Sequence, residues 1–225
     1  MERRNEIIKY ETIKKKKEVL AYIRKGDQIL GAMGFSDHAE AHVTLVAERA
    51  ATILKHFERP DREIELAKIA GFMHDIGNCI NRKNHAEYGA LLANDILKKA
   101  GMSTEDRLTV VSAISHHDEG TGMAFDPVSA ALIIADKTDV RRSRVRPKER
   151  STFDIHDRVN YAVTGSNLKF SKDKSCISLN LQIDESICSM YEYFEIFLGR
   201  MVMCRRAAGI LGTKFKLMAN GQKVL

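Results

Sequence analysis

The chain has 225 residues, 44% apolar and 29% charged, with no tryptophan and a formal net charge of +6. That length is enough for one well-buried core plus an appended subdomain, and the short, interrupted apolar runs exclude a helical membrane span of roughly 20 residues. Cys79, Cys176, Cys188 and Cys204 show no CxxC spacing, which argues for reduced, buried thiols and against a disulfide or a zinc knuckle.

In chain order, the first elements read as helices. Ile13, Val19, Leu20, Ile23, Ile29, Leu30 and Met33 recur over residues 12–33, with Gly26-Asp27 as an expected break and restart. Ser36 or Asp37 is a candidate N-cap for a helix to about Phe57, with Val43, Ala47, Ala50, Leu54 and Phe57 as its apolar stripe. Pro60-Asp61 starts the next helix, whose Ile64, Ala67, Ile69, Ala70 and Met73 face inward until Gly77, the expected stop. Asn84 with Glu87 is a capping-box-like start for a helix ending at Gly101. Ser103 with Asp106 opens another, reaching His117. Asp126-Pro127 then opens PVSAALIIADKTDV, apolar on nearly every side and therefore central.

After Pro147 the pattern changes. CISLNLQI alternates Ile177, Leu179, Leu181 and Ile183, as a half-buried strand does. VNYAV and NLKF alternate similarly, and SKDKS is the expected turn before the 177–183 strand. Residues 186–210 read as a long amphipathic helix through Met190, Phe194, Phe197, Leu198 and Met201, and Asn220-Gly221 is a strong hairpin signal. The expected architecture is mainly α: an N-terminal helical extension over 1–35, a helical domain over 36–146, and a small α+β subdomain over 147–225.

Residues able to bind metal recur along the helical part: His42, His74, Asp75, His85, His116, His117 and Asp136. Asp136 is the most informative. A carboxylate within ALIIADK bears a desolvation penalty of several kcal/mol unless a cation compensates it. Each residue taken alone has a plain structural alternative: a helix-dipole partner for His117, a solvated carboxylate for Asp75. Imidazoles and carboxylates together suit iron, manganese or zinc, and one bridging carboxylate can serve two metals.

The pieces HVTLVA at 42–47, HDIG at 74–77, HAEYGALL at 85–92, SHHDEGTG at 115–122 and IIADKTD at 133–139 carry the ordered pattern H…HD…H…HH…D. In this the chain resembles the HD-domain metal-dependent phosphohydrolase superfamily, nearest to the branch that includes the HD-GYP cyclic-dinucleotide phosphodiesterases. The likeness covers about residues 36–142. It implies an HD-type helical bundle of about five core helices holding two divalent metal ions, iron or manganese, with zinc or nickel as alternatives. One metal would be held by His42, His74, Asp75 and Asp136, the other by Asp75, His85, His116 and His117, with Asp75 bridging. It implies further that a metal-bound hydroxide attacks a phosphate ester, and that the substrate is small and phosphorylated, a nucleotide or cyclic dinucleotide. Some HD-fold proteins with similar ligands are di-iron oxygenases, and a metal-containing ligand-binding module is a third alternative.

Three departures from the HD-GYP pattern bear on the substrate. Asn78 stands where a lysine usually follows HDIG, so that phosphate contact is either missing or supplied by Arg82 or Lys83. The Gly-Tyr-Pro segment is absent, and HHDEGTGMAFDP takes its place, leaving the substrate open. Where trinuclear members carry glutamate this chain has His38, one helical turn before His42, as an additional metal ligand or a rim histidine.

Beyond Asp136, DKTDVRRSRVRPK places Lys137, Arg141 and Arg142 as candidates to face a substrate phosphate, the alternative being a basic surface segment. Asp75, Lys137 and Arg141 form the candidate catalytic set. Asp139 is either a partner of a ligand histidine or a surface carboxylate. The second His-Asp pair, His156-Asp157, falls at the expected start of a strand with no further ligand at suitable spacing, and is read as unrelated to the site.

The remaining expectations concern surroundings. The charged N-terminus lacks an apolar signal core, which points to a cytoplasmic protein without a membrane partner. A surplus of +6 suits anionic ligands but is modest for nucleic acid, which is not expected. A homodimer would form through an exposed strand or the long C-terminal helix.

Overall fold

The computed structural model describes residues 8–146, 153 and 155–224; the expected boundary at Pro147 lies outside the described residues. Apolar residues at helical spacing bury one face each of α1 (Tyr10–Lys14), α2 (Lys17–Ala32), α3 (Glu40–His56), α4 (Asp61–Met73), α5 (His85–Lys99) and α6 (Thr104–Ser115). In α7 (Pro127–Lys137) every residue from Val128 to Ala135 is buried, so this helix runs through the centre, packed by α3, α4 and α6. Burying side chains such as Leu132, Ile133 and Ile134 contributes about 2 kcal/mol each. The start of α7 is fixed by a capping box. Asp126 accepts a hydrogen bond from the Ser129 amide at 2.7 Å, and the Ser129 hydroxyl accepts one from the Asp126 amide at 3.1 Å.

The C-terminal region consists of α8 (Ile155–Ala162), β1 (Val163–Phe170), β2 (Cys176–Ile183), α9 (Met190–Ile210), β3 (Lys214–Ala219) and β4 (Gln222–Lys223). The sheet order is β1-β2-β3-β4, with β1 and β2 antiparallel, β2 and β3 parallel, and β3 and β4 antiparallel. Parallel β2 and β3 need a long crossover, and α9 is that crossover. Alternation buries Ile177, Leu179, Leu181 and Ile183 together with Phe215, Leu217 and Ala219. Asn220 and Gly221, with φ of 47° and 80°, make the tight turn into β4. Tyr193, Phe197 and Met201 of α9 join the same hydrophobic core as Val43 of α3 and Ile134 of α7. The sheet unit is thus fused to the helices, with α9 packed on α7.

Several expectations change. Gly26 does not break α2. A Cβ there would lie 3.2 Å from Asn78 Cβ and 3.3 Å from the Cys79 amide nitrogen, so the glycine allows close approach. Neither Ser36 nor Asp37 caps α3, which begins at Glu40; the Asp37 carboxylate instead accepts from the Ala39 amide at 2.6 Å. Helix α4 ends at Met73, before Gly77, which lies in a 3-10 turn over Ile76–Cys79. A Cβ on Gly77 would collide with the His85 carbonyl oxygen and the Gly89 nitrogen, so glycine is needed for the turn to close on α5. Asn84 precedes α5 in a left-handed conformation with φ of 60° and makes no side-chain cap. VNYA is helical, in α8, because alternation over four residues cannot separate a strand from a short helix. Leu198 is 47% exposed, and Cys79 and Cys176 are only half-buried; all four cysteines are free thiols. Among the described residues no helix is long and apolar enough to cross a membrane.

Candidate metal centre

Helix ends bring the polar residues together. His42 lies in the first turn of α3, His74 caps the C-terminus of α4, Asp75 leads into the 3-10 turn, and His85 begins α5. His117 follows α6 by two residues, and Asp136 is the penultimate residue of α7. Asp75 stands at the middle. Its Oδ2 lies 3.7 Å from His42 Nε2 and 3.3 Å from His74 Nε2, and its Oδ1 lies 3.4 Å from His85 Nε2 and 4.0 Å from His117 Nε2. Asp136 Oδ1 closes the first group, 3.4 Å from His42 Nε2 and 3.7 Å from His74 Nε2.

The other nitrogen of each ring decides the tautomer. His74 Nδ1 faces the Gly71 carbonyl at 2.8 Å, His85 Nδ1 the Arg82 carbonyl at 3.1 Å, and His117 Nδ1 the Ile114 carbonyl at 2.6 Å. A carbonyl oxygen only accepts, so these nitrogens donate. His42 Nδ1 donates likewise to Asp139 Oδ2 at 2.7 Å. In the neutral rings Nε2 is therefore a lone pair. His42 Nε2 and His74 Nε2 are buried without a hydrogen-bond partner, and the Nε2 atoms of His85 and His117 face each other at 3.2 Å. Converging lone pairs and carboxylates call for cations. Ligand atoms of His42, His74 and Asp136, and of His74, Asp75 and His117, lie within 4.8 Å of one another in each group. Imidazole and carboxylate donors with anchored Nδ1 atoms fit divalent metal ions.

The electrostatics agree. Burial disfavours charge on His74, yet the Asp75 and Asp136 carboxylates outweigh it and raise its pKa to about 10. Burial would raise Asp75 as well, but the His74 ring beside it holds it well below the usual carboxylate range. Against the same burial, Lys137, His42 and His74 hold Asp136 down. The field of these carboxylates is answered either by a proton on His74 or by a metal. Burial pushes His85 down and His117 well down, which keeps both rings neutral as ligands must be.

Of the expected ligands, His42, His74, Asp75, His85, His117 and Asp136 are brought together. His116 is not. It is half-buried at the C-cap of α6, its Nδ1 faces the Ser112 carbonyl at 2.9 Å, and its ring packs on Phe125. Consecutive side chains at a helix end diverge, so His117 turns inward and His116 away. Asp118 is the neighbour that reaches the cluster, with Oδ1 4.0 Å from His85 Nε2.

His38 lines the cavity over the metal groups, its ring edge-on to His42 and its Nδ1 on the Ser36 carbonyl at 2.7 Å. Burial, reinforced by Arg144, holds His38 neutral, well below its ordinary pKa. Arg82 and Lys137 also line this cavity. Lys137 Nζ lies 2.8 Å from Asp136 Oδ2 and 3.2 Å from Glu119 Oε1; although it is buried, these carboxylates raise its pKa.

Three expected phosphate contacts lie elsewhere. Arg141 clamps Asp139 through contacts of 2.5 and 3.0 Å, Arg142 binds the Tyr161 carbonyl and stacks on its ring, and Lys83 is exposed. Each is captured by a nearer partner or by solvent. Asp139 does partner a ligand histidine, His42, and burial notwithstanding, His42, Arg144 and Arg141 keep its carboxyl ionised.

Sequence reasoning missed much of the cavity wall. Arg144 lines it while donating to the Asp37 and Asp139 carbonyls. His156 and Asp157, set aside as unrelated, line it with Asn160, and Phe197 and Arg200 complete it from α9. Reading VNYAV as strand hid the helical i, i+4 spacing of His156 and Asn160. Arg200 gave no local signal at all.

The HD-domain family profile matches residues 40–158, more than half of the 225-residue chain, and the chain belongs to the HD-domain family. An uncharacterized protein of Methanocaldococcus jannaschii is 28% identical to it, the match covering 65% of this chain and 65% of that protein's length. Among solved structures, a predicted HD superfamily hydrolase from an uncultured Thermotogales bacterium is similar at 25% identity and a TM-score of 0.44, over 56% of this chain and 68% of that one. The family match includes every metal-cluster residue and His156-Asp157, and stops before α9.

Proposed function

We propose that this chain is a metal-dependent phosphohydrolase that cleaves a phosphate ester at a dinuclear centre, with a nucleotide or cyclic dinucleotide as its substrate class. The observation that carries this reading is the split of Asp75. One carboxylate oxygen faces His42 and His74, and the other faces His85 and His117. Two divalent cations bound there, with iron or manganese best suited to the donors, would activate water and neutralise phosphoryl oxygens.

The chain's own residues supply orientation and charge. Asn78 donates to the Asp75 carbonyl at 3.0 Å and to Asp75 Oδ1 at 2.9 Å, which fixes the bridging carboxylate in its two-sided position. Asn78 thus serves Asp75 rather than a phosphate. Arg82 lines the cavity, has no carboxylate partner among the described residues, and is the candidate phosphate contact. Lys137 and Arg144 add positive charge to the same wall.

Metal analysis of protein purified without oxygen, followed by assays on a panel of phosphate esters and cyclic dinucleotides, tests the reading. The expected result is two metal equivalents per chain and phosphate release that vanishes in Asp75→Ala. Full activity in that variant sinks the bridging role. Oxygen consumption with no hydrolysis across the panel moves the reading to a di-iron oxygenase.

A further inference from the structure

Arg200 lies on α9, outside the segment that matches the family, yet it lines the same cavity as Asp75 and Asp136. Its guanidinium is held at two points. Nε lies 2.8 Å from Glu119 Oε1, and Cζ sits 4.6 Å from the centre of the buried Phe197 ring, one helical turn earlier on α9. The same Glu119 oxygen lies 3.2 Å from Lys137 Nζ. One carboxylate thus stands between two cations, and since Lys137 is also paired with Asp136 at 2.8 Å, Glu119 serves to orient Arg200.

Among the described residues, the two terminal nitrogens of Arg200 have no hydrogen-bond partner, and its side chain keeps 26% exposure. A guanidinium fixed through Nε and one face leaves two parallel N–H donors for an oxyanion, which is the geometry of bidentate phosphate recognition. Holding the group in place beforehand also reduces the entropy cost of binding.

We propose that Arg200 is a substrate-binding residue that grips a phosphoryl group from the C-terminal side of the cavity. The α+β unit would then be part of the binding site as well as part of the core. The substrate class rests on the phosphohydrolase reading, whereas anion binding by Arg200 can be measured without it.

The test is calorimetric titration of inorganic phosphate into the full chain, as purified with its metal, for wild type, Arg200→Met and Arg200→Lys. Arg200→Met is expected to bind phosphate about 10- to 100-fold more weakly, with unchanged metal content and melting temperature. Arg200→Lys keeps the charge but not the fork, and is expected to recover only part of the affinity; it also decides the matter if the methionine variant does not fold. With any ester the wild type hydrolyses, KM in Arg200→Met should rise by a similar factor while kcat changes less than about threefold.

Wild-type protein that binds no phosphate overturns the proposal, as does a methionine or lysine variant with wild-type affinity. So does parallel loss of metal, which would make Arg200 only a support for Asp136 through Glu119 and Lys137. If phosphate binding weakens as expected but no ester is hydrolysed, the anion site stands and the hydrolase reading falls.

Discussion

In the metal cluster the protein anchors one end of each ligand and leaves the other end aimed at a common centre. His42, His74, His85 and His117 each commit Nδ1 to a carboxylate or a backbone carbonyl, all four rings are buried, and their Nε2 atoms converge on Asp75. The part of the wall above it that comes from α8 and α9 is arranged differently. Arg200 is partly exposed and its terminal donors are unengaged, and Asn160 and His156 stand beside it on the same cavity. Buried, doubly fixed groups suit a resident metal that does not change from one turnover to the next. A half-exposed arginine with spare donors suits a ligand that comes and goes.

The largest expected effect breaks the cluster itself. Gly77→Ala sets a methyl group against the His85 carbonyl and the Gly89 nitrogen, both backbone. It should cost more than about 3 kcal/mol, or prevent folding, as read by urea denaturation. A Gly77→Ala protein as stable as wild type would mean that the turn and α5 do not meet as described.

Removal of ligands should separate the two sides of Asp75. His42→Ala is expected to keep roughly one metal equivalent and Asp75→Ala none, measured by elemental analysis after gel filtration. Equal losses in the two variants would argue against two distinct imidazole groups. Asp139→Asn, which weakens the anchor on His42 Nδ1 while preserving its shape, should lower metal affinity about 10- to 100-fold in chelator competition.

The pH dependence sharpens the same contrast. The pKa of His74 is raised from 6.5 to about 10, so in chelated protein the stability from its bound proton is fully present below 6.5 and is lost as pH rises through about 10. A metal displaces that proton, so apparent metal affinity should climb across this window by up to about tenfold per pH unit. Melting temperatures measured against pH, with and without chelator, should therefore diverge toward alkaline pH. Parallel curves would show that His74 carries no proton to displace.

The smallest effect is expected outside the cavity. Lys83→Ala and Arg142→Met should leave phosphate binding unchanged within about twofold, whereas Arg82→Met should weaken it about 10-fold or more. A strong effect at Lys83 would move the substrate contact to the outer rim of the loop.

Much was legible in the sequence, for reasons that are local. The apolar run around Leu132–Ala135 identified a central helix, and a carboxylate inside it, Asp136, demanded a cation wherever the rest of the chain went. Ser103, Asp126 and Asn220-Gly221 marked their boundaries because capping and tight-turn chemistry act over two to four residues. The choice between His116 and His117 was not legible, because it depends on the direction in which the chain leaves α6. Nor were the roles of Gly26 and Gly77, whose missing side chains answer to backbone far away in sequence.

The sequence by itself determined the helical core and the ordered set of imidazoles and carboxylates, since residue type and period suffice for those, and through its resemblance to the HD-domain superfamily it implied a metal. Only the tertiary structure decided that Asp75 faces two ways, that Asn78 supports it while Asp139 anchors His42, and that α8 and α9 contribute to the cavity wall. Those arrangements join residues far apart in sequence: Asp75 and Arg200, which line one cavity, are 125 positions apart. No local pattern encodes them, because they exist only once the shared core has packed α9 against α7.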